Sequence, residues 1–273
     1  MSSLERKANE LNKHAPYLRE RILRMVNAAR TGHPGGSLSV IDLLSATMLG
    51  WGRFAPNLIN PDWVVLGKGH AVPALYSILI ELGYFEEKEL FTYRKFHSRL
   101  QGHPDKRKLP SVQVSTGHLG QGLSIGVGIA AGERLSKSVK HVYVILGDGD
   151  LNEGQTWEAI QTAAHYHLSN VTVLVDANGL TQHGPPKKIM NVEPVLPKWE
   201  SFGWWTKEID GHDYLQILNG LKEAGLQKIP AVIICRTIKG KGISFMEGNA
   251  TWHSRDLPND LLAKALKEIH AEE

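Results

Sequence analysis

Apolar side chains recur at Leu4, Ala8, Leu11, Ala15, Leu18, Ile22, Met25 and Ala29, in steps of three and four residues. That spacing lines one face of a helix. Pro16 lacks the amide proton that the helical ladder uses, so the pattern predicts two helices divided near it. The glycine- and proline-rich TGHPGGS at 31–37 then predicts a break. Four later runs are apolar without alternation: Trp63–Leu66, Val142–Leu146, Val171–Val175 and Ala231–Cys235. Consecutive apolar residues predict strands buried on both faces. Between them lie two helical patterns, one at Trp157, Ile160, Ala164 and Leu168 and one from Gly120 to Leu135.

Strands alternating with helices predict an α/β fold, a doubly wound and mostly parallel sheet with helices on both faces. There is no internal repeat, low-complexity tract or linker, so one domain over residues 1–273 is expected, closing in a charged helix (LLAKALKEIHAEE). Ligands of such sheets gather at the carboxyl ends of the strands. GKGH, GDGDLNEG, DANGL and RTIKGKG follow the four predicted strands. Three of these segments are glycine-rich, and two carry acidic or amide oxygens, so the edge reads as a site.

Composition narrows the classes. A net charge of +3 is too small to argue for nucleic acid, and Lys106-Arg107-Lys108 reads as a solvated loop. No apolar run approaches the roughly 20 residues of a membrane helix, and the start, MSSLERKANEL, lacks a signal-peptide core. A cytoplasmic protein is expected. The single cysteine, Cys235, lies in the apolar AVIIC and reads as a buried thiol. The motifs GxxxxGK[ST], GxGxxG and HExxH are all missing.

Asp148 stands directly after one predicted strand and Asn178 just past the next, 30 residues on. If those strands are neighbours, a carboxylate and an amide oxygen meet at one edge. Magnesium takes a few hard oxygens from protein and others from substrate phosphates, and the glycines flanking Asp148 allow close backbone approach. Asp148 could instead cap a helix beginning near Asn152. GDG alone leaves both readings open; GDG with the distant Asn is more specific.

GDGDLNEG through Asn178 resembles the thiamine-diphosphate binding motif. TGHPGGS, VVLGKGHAVPALYSILIELGY, QGHPD, STGHLGQGLS and KGKGISFME resemble, in order, the N-terminal half of transketolase. The resemblance implies that Asp148, Asn178 and the carbonyl of Leu180 coordinate Mg²⁺, or another divalent cation such as Ca²⁺ or Mn²⁺, with the cofactor diphosphate. Gly147, Gly149 and Asp150 belong to the same motif. Gly117 would offer its carbonyl to the aminopyrimidine, Leu119 would pack under the cofactor's bend, and His118 stands between them. Glu153 would link two active sites across a subunit interface, or else satisfy a helix dipole. His33, His70 and His103 match histidines of the substrate channel, and His253 matches one near the diphosphate. Imidazole suits such sites because it gives or takes a proton near neutral pH. His14, His97, His141, His165, His167, His212 and His270 fall outside these motifs and read as surface or satisfied core residues.

The activity implied is transfer of a two-carbon glycolaldehyde unit from a ketose, free or phosphorylated, to an aldose. At this length the chain matches only the first domain of a transketolase. The expected partners are a companion subunit with the pyrimidine-binding half, in two copies of each, and sugar or sugar-phosphate substrates, without nucleic acid or membrane. His118, Gln182 and His183 depart from the family's usual residues, through drift or because the substrate is unusual. The competing readings are a deoxyxylulose-phosphate synthase, the first subunit of a 2-oxo acid dehydrogenase and a non-catalytic cofactor-binding subunit. The histidine set favours transketolase.

Overall fold

The structure, a computed structural model, describes residues 1–271; Glu272 and Glu273 of the expected final helix lie outside the described residues. In chain order its main elements are α1 (Ser3–Ala29), α2 (Pro34–Ser45), β1 (Trp63–Leu66), α3 (Val72–Glu81), α4 (Gln121–Leu135), β2 (Val142–Gly147), α5 (Gly154–His165), β3 (Val171–Ala177), α6 (Pro186–Ile189), α7 (Val195–Ser201), β4 (Trp205–Asp210), α8 (Tyr214–Gly225), β5 (Ala231–Arg236) and α9 (Asn259–Ile269).

The five strands form one parallel sheet in the order β1-β2-β3-β5-β4. Successive side chains of a strand point to opposite faces, and here both faces are covered. Tyr143, Ile145, Leu174, Ile233 and Cys235 join a core with α1, α2, α3 and α8, while Val142, Val144, Leu146, Val173, Val175 and Ile234 join a second core with α4, α5 and α7. This double coverage is why the inner strands read as unbroken apolar runs. Cys235 is buried in the first core, which pushes its thiol pKa well up. The four expected strands are present. β4 was not expected, because as an edge strand it carries Lys207, Glu208 and Asp210 and buries only Ile209.

Three local expectations are corrected. α1 runs unbroken through Pro16. Leu11 and Leu18 are buried on either side of the proline, and the Arg19 guanidinium donates to the Ala15 carbonyl at 3.4 Å. Packing of the apolar face outweighs one missing hydrogen bond. The break at TGHPGGS is also shorter than expected. α1 stops at Arg30, which is left-handed at φ 55°, and Pro34 already opens α2. Proline at the first helical position loses no bond, since that amide would have no intrahelical partner. α5 ends at His165, so Leu168 lies beyond it.

Candidate active site

β2 and β3 are neighbours, with Gly147 opposite Asp176, so the turns after them meet at the carboxyl edge. Two carboxylates in the first turn do different work. Asp150 is fully buried; its Oδ2 accepts from the Gly147 amide at 2.8 Å and its Oδ1 from the Gly120 amide at 2.9 Å. It therefore closes the turn and ties it to the head of α4. Asp148 accepts from the Gly179 amide through Oδ2 at 2.8 Å and has no further donor among the described residues. It caps no helix. Burial, helped by the charge of Asp176, raises its pKa to about 6.

A cleft of about 420 Å³ opens over this edge. His33, His70, Leu119, Gly147, Asp148, Gly149, Asp150, Glu153, Asn178, Leu180 and His253 line it, as do Gln182 and His183. A Cβ on Gly149 would lie 2.9 Å from Leu119 Cδ1, so glycine lets this turn and Leu119 share one wall. Glu153 is exposed at the rim, just before α5, and its side chain makes no capping bond. His103 and His118 are exposed and not among the lining residues; Gly117 packs beside the His103 ring, 3.5 Å from its would-be Cβ.

The rings of His33, His70 and His253 form a triangle with centroids 5.1–5.4 Å apart. Burial and nearby cations make all three poor bases. His33 falls to about 4 through burial and Arg94, and His253 to about 3 through burial and Lys239. His70 falls well below its ordinary value through burial and Lys68. Burial and Arg94 also lower His103. At neutral pH the cleft thus presents neutral imidazoles, each able to donate at one nitrogen and accept at the other. The Nδ1 of His33 is buried without a partner among the described residues.

The floor is built from residues not singled out in the sequence. Asp176, at the end of β3, accepts from Lys68 Nζ, from Thr237 Oγ1 and from Ser39 Oγ at 2.6 Å. Burial alone would raise its pKa, but Lys68 and the hydroxyls hold it below the usual carboxylate range. Lys239, 2 % exposed, donates to the Leu180 carbonyl at 3.0 Å and stands 3.1 Å from His253 Nδ1. Burial and the charge of Lys68 lower its pKa to about 8. Both lysines sit inside GKGH and KGKG, so the signal was their place after a strand.

The donor set fits a hard cation. Asp148 has a spare carboxylate oxygen, Asn178 Oδ1 accepts, among the described residues, only the Leu180 amide at 3.1 Å, and the Leu180 carbonyl has a second lone pair beside the bond from Lys239. Carboxylate, amide and carbonyl oxygens are what magnesium, calcium and manganese prefer. The lysines on the floor suit a phosphorylated ligand.

Residues 12–271 match the family described as the transketolase, thiamine diphosphate binding domain. The chain is 38% identical over 268 residues to one subunit of the apulose-4-phosphate transketolase of Actinobacillus succinogenes, covering 97% of each. It is 35% identical to the 6-deoxy-6-sulfo-D-fructose transketolase subunit SqwG of a Clostridium species, covering 96% of this chain and 97% of that one. Among solved structures, the transketolase of Campylobacter jejuni superposes with a TM-score of 0.88 at 32% identity, over 95% of this chain but 42% of that one.

Proposed function

Because the chain belongs to the family of transketolase thiamine-diphosphate-binding domains, we propose that it is the diphosphate-binding subunit of a two-subunit transketolase. It would transfer a two-carbon glycolaldehyde unit from a ketose or ketose phosphate to an aldose. The observation that carries this reading is the meeting of Asp148 and Asn178 across adjacent strands, facing three neutral histidines over one cleft. The whole chain, residues 1–273, serves as one domain. A separate companion is supported by the Actinobacillus relative, which is named as one subunit of a transketolase and is matched over 97% of its length. The companion would carry the pyrimidine-binding half, in an assembly of two copies of each subunit working in the cytoplasm. No described helix is long and apolar enough to cross a membrane.

Asp148, Asn178 and the Leu180 carbonyl would hold Mg²⁺, and Lys239 would face the diphosphate. Gly117, His118 and Leu119 form the loop beside the cofactor's organic half. Once bound, thiamine diphosphate supplies the carbon nucleophile needed to break the bond between C2 and C3 of the donor. The protein's own part is to hold hydroxyls and stabilise charge. Lysine can only donate, so His253 Nδ1 accepts from Lys239 and its proton sits on Nε2. That N–H can stabilise an oxygen that gains negative charge. His33 and His70, kept neutral by burial, can each accept a hydrogen bond from a sugar hydroxyl and so orient it, and His103 would grip a hydroxyl farther out.

Calorimetric titration with Mg²⁺–thiamine diphosphate tests the assignment. Binding by the wild type with a loss of about 100-fold or more in Asp148→Ala is expected, since even partners of metal ligands matter by roughly 10- to 100-fold. Equal binding by the two proteins would refute the metal site. Sugar turnover should require the companion; robust turnover by this chain alone would sink the two-subunit reading.

A further inference from the structure

A second cavity, about 500 Å³, lies against α1 and is larger than the histidine-lined cleft. Its charges are already spoken for. Asp42 of α2, 1 % exposed, accepts from Arg19 Nη2 at 2.6 Å, His212 Nδ1 at 2.7 Å and Tyr214 Oη at 2.8 Å. Tyr214 Oη also lies 2.9 Å from Ser45 Oγ. What matters is where this cluster leads. Burial would raise the Asp42 carboxyl, but Arg19 and His212 hold it below its ordinary range, so it stays ionised and can only accept. The His212 proton therefore sits on Nδ1. Nε2 is left as an acceptor, and the backbone amide of Ile238 donates to it at 2.8 Å.

Ile238 lies beyond the last strand. β5 ends at Arg236, and residues 237–240 must reach the cleft without a ladder to guide them. Their other anchors include the Thr237 hydroxyl on Asp176, a long Thr237 amide bond to Ala177 at 3.4 Å, the Gly248 amide on the Lys239 carbonyl at 2.9 Å and the Gly240 amide on the Gly35 carbonyl at 2.9 Å. Lys239 follows Ile238 directly. α2 carries Asp42 in its body and His33 at its head, so the bridge through His212 ties the walls bearing His33 and Lys239.

We infer that His212 is a positioning residue for the diphosphate site: it clamps the Ile238 amide and so fixes where Lys239 meets Leu180 and His253. This rests on the reading of the cleft as a cofactor site. It extends that reading to a residue outside the cleft, on the loop between β4 and α8.

Two carboxamides separate a clamp from a mere filler. Asparagine places a donor near Nδ1, which keeps the bond to Asp42 and abandons Ile238. Glutamine reaches the Nε2 position and can offer Ile238 an oxygen. We would measure amide hydrogen exchange of residues 237–240 in the cofactor-free chain and Mg²⁺–thiamine diphosphate affinity of the same proteins. His212→Asn is expected to speed exchange at Ile238 and weaken binding, each by about tenfold, as for one lost hydrogen bond. His212→Gln should stay within about threefold of the wild type in both. Asparagine equal to or better than glutamine would overturn the inference, because filling the site and satisfying Asp42 would then suffice. Fast exchange in His212→Asn with unchanged affinity would overturn it too. If the wild type binds no cofactor, or Asp148→Ala binds as well, the cofactor reading fails and this inference falls with it.

Discussion

Lys68 and Asp176 form an ion pair at the bottom of the cleft, with side chains 3 % and 0 % exposed. A charge so enclosed is tolerable only while its partner and its hydroxyl donors remain. Lys68→Met leaves the Asp176 carboxylate with neutral donors, the Ser39 and Thr237 hydroxyls and the Asn178 amide. The variant is expected to lose about 3–5 kcal/mol of stability, read from urea denaturation. A loss below about 1 kcal/mol would mean that the pair contributes position and little else.

His141 gives a pH signature remote from the cleft. Its ring lies 2.8 Å from Thr172 Oγ1, and burial lowers its pKa to about 4. The unfolded chain takes up this proton near pH 6.5, whereas the folded chain resists until about 4, so the unfolded state binds more protons in between. Stability then falls as pH drops from about 6.5 to 4, by up to roughly 3 kcal/mol from this residue. His33 and His253 push the same way. His141→Asn should flatten the curve; an unchanged slope in denaturation from pH 4 to 7 would refute the account.

Gly122 touches Gly67 across the top of the sheet: a Cβ there would stand 2.5 Å from Gly67 Cα, a backbone atom that cannot swing aside. Gly122→Ala should push α4 off the end of β1. A loss of about 1–3 kcal/mol is expected, typical of overpacking. Since Lys68 and Leu119 flank the contact, cofactor affinity should fall as well, and intact affinity would count against this geometry.

His183 lies exposed at the rim of the cleft, on a short turn where its amide donates to Thr181 Oγ1 at 3.2 Å. His183→Asp replaces a donor with an anion where a substrate would enter. Ratios of kcat/KM between phosphorylated and unphosphorylated ketoses should move by about tenfold against the phosphorylated ones. Ratios that stay within about twofold would assign the histidine to drift.

How far the sequence carries can be seen in particular residues. β2, β3 and β5 were legible because coverage on both faces leaves them almost no polar residue, and the Asp148–Asn178 pairing followed once adjacent strands were assumed. β4 escaped, since its side chains mostly meet water. α1 was misread at Pro16, where a local rule met a stronger tertiary one. His33, His70 and His253 could be singled out by their motifs, but their mutual approach to about 5 Å could not. Lys68, Asp176 and Lys239 stayed hidden because a buried charge looks like a surface charge until the fold shows what encloses it. His212, dismissed with the ordinary histidines, shows that a short contact 170 residues away in sequence leaves no trace in spacing.

α1 and α9 are packed on each other. His270 Nε2 meets Glu20 Oε2 at 2.7 Å, and Asn27 donates to the Leu257 carbonyl at 2.8 Å, contacts spanning 250 and 230 residues. On the ribosome, therefore, α1 leaves the exit tunnel long before α9 exists. Part of its oily face must wait in the open, or in the hands of a chaperone, until more than 200 further residues have been made.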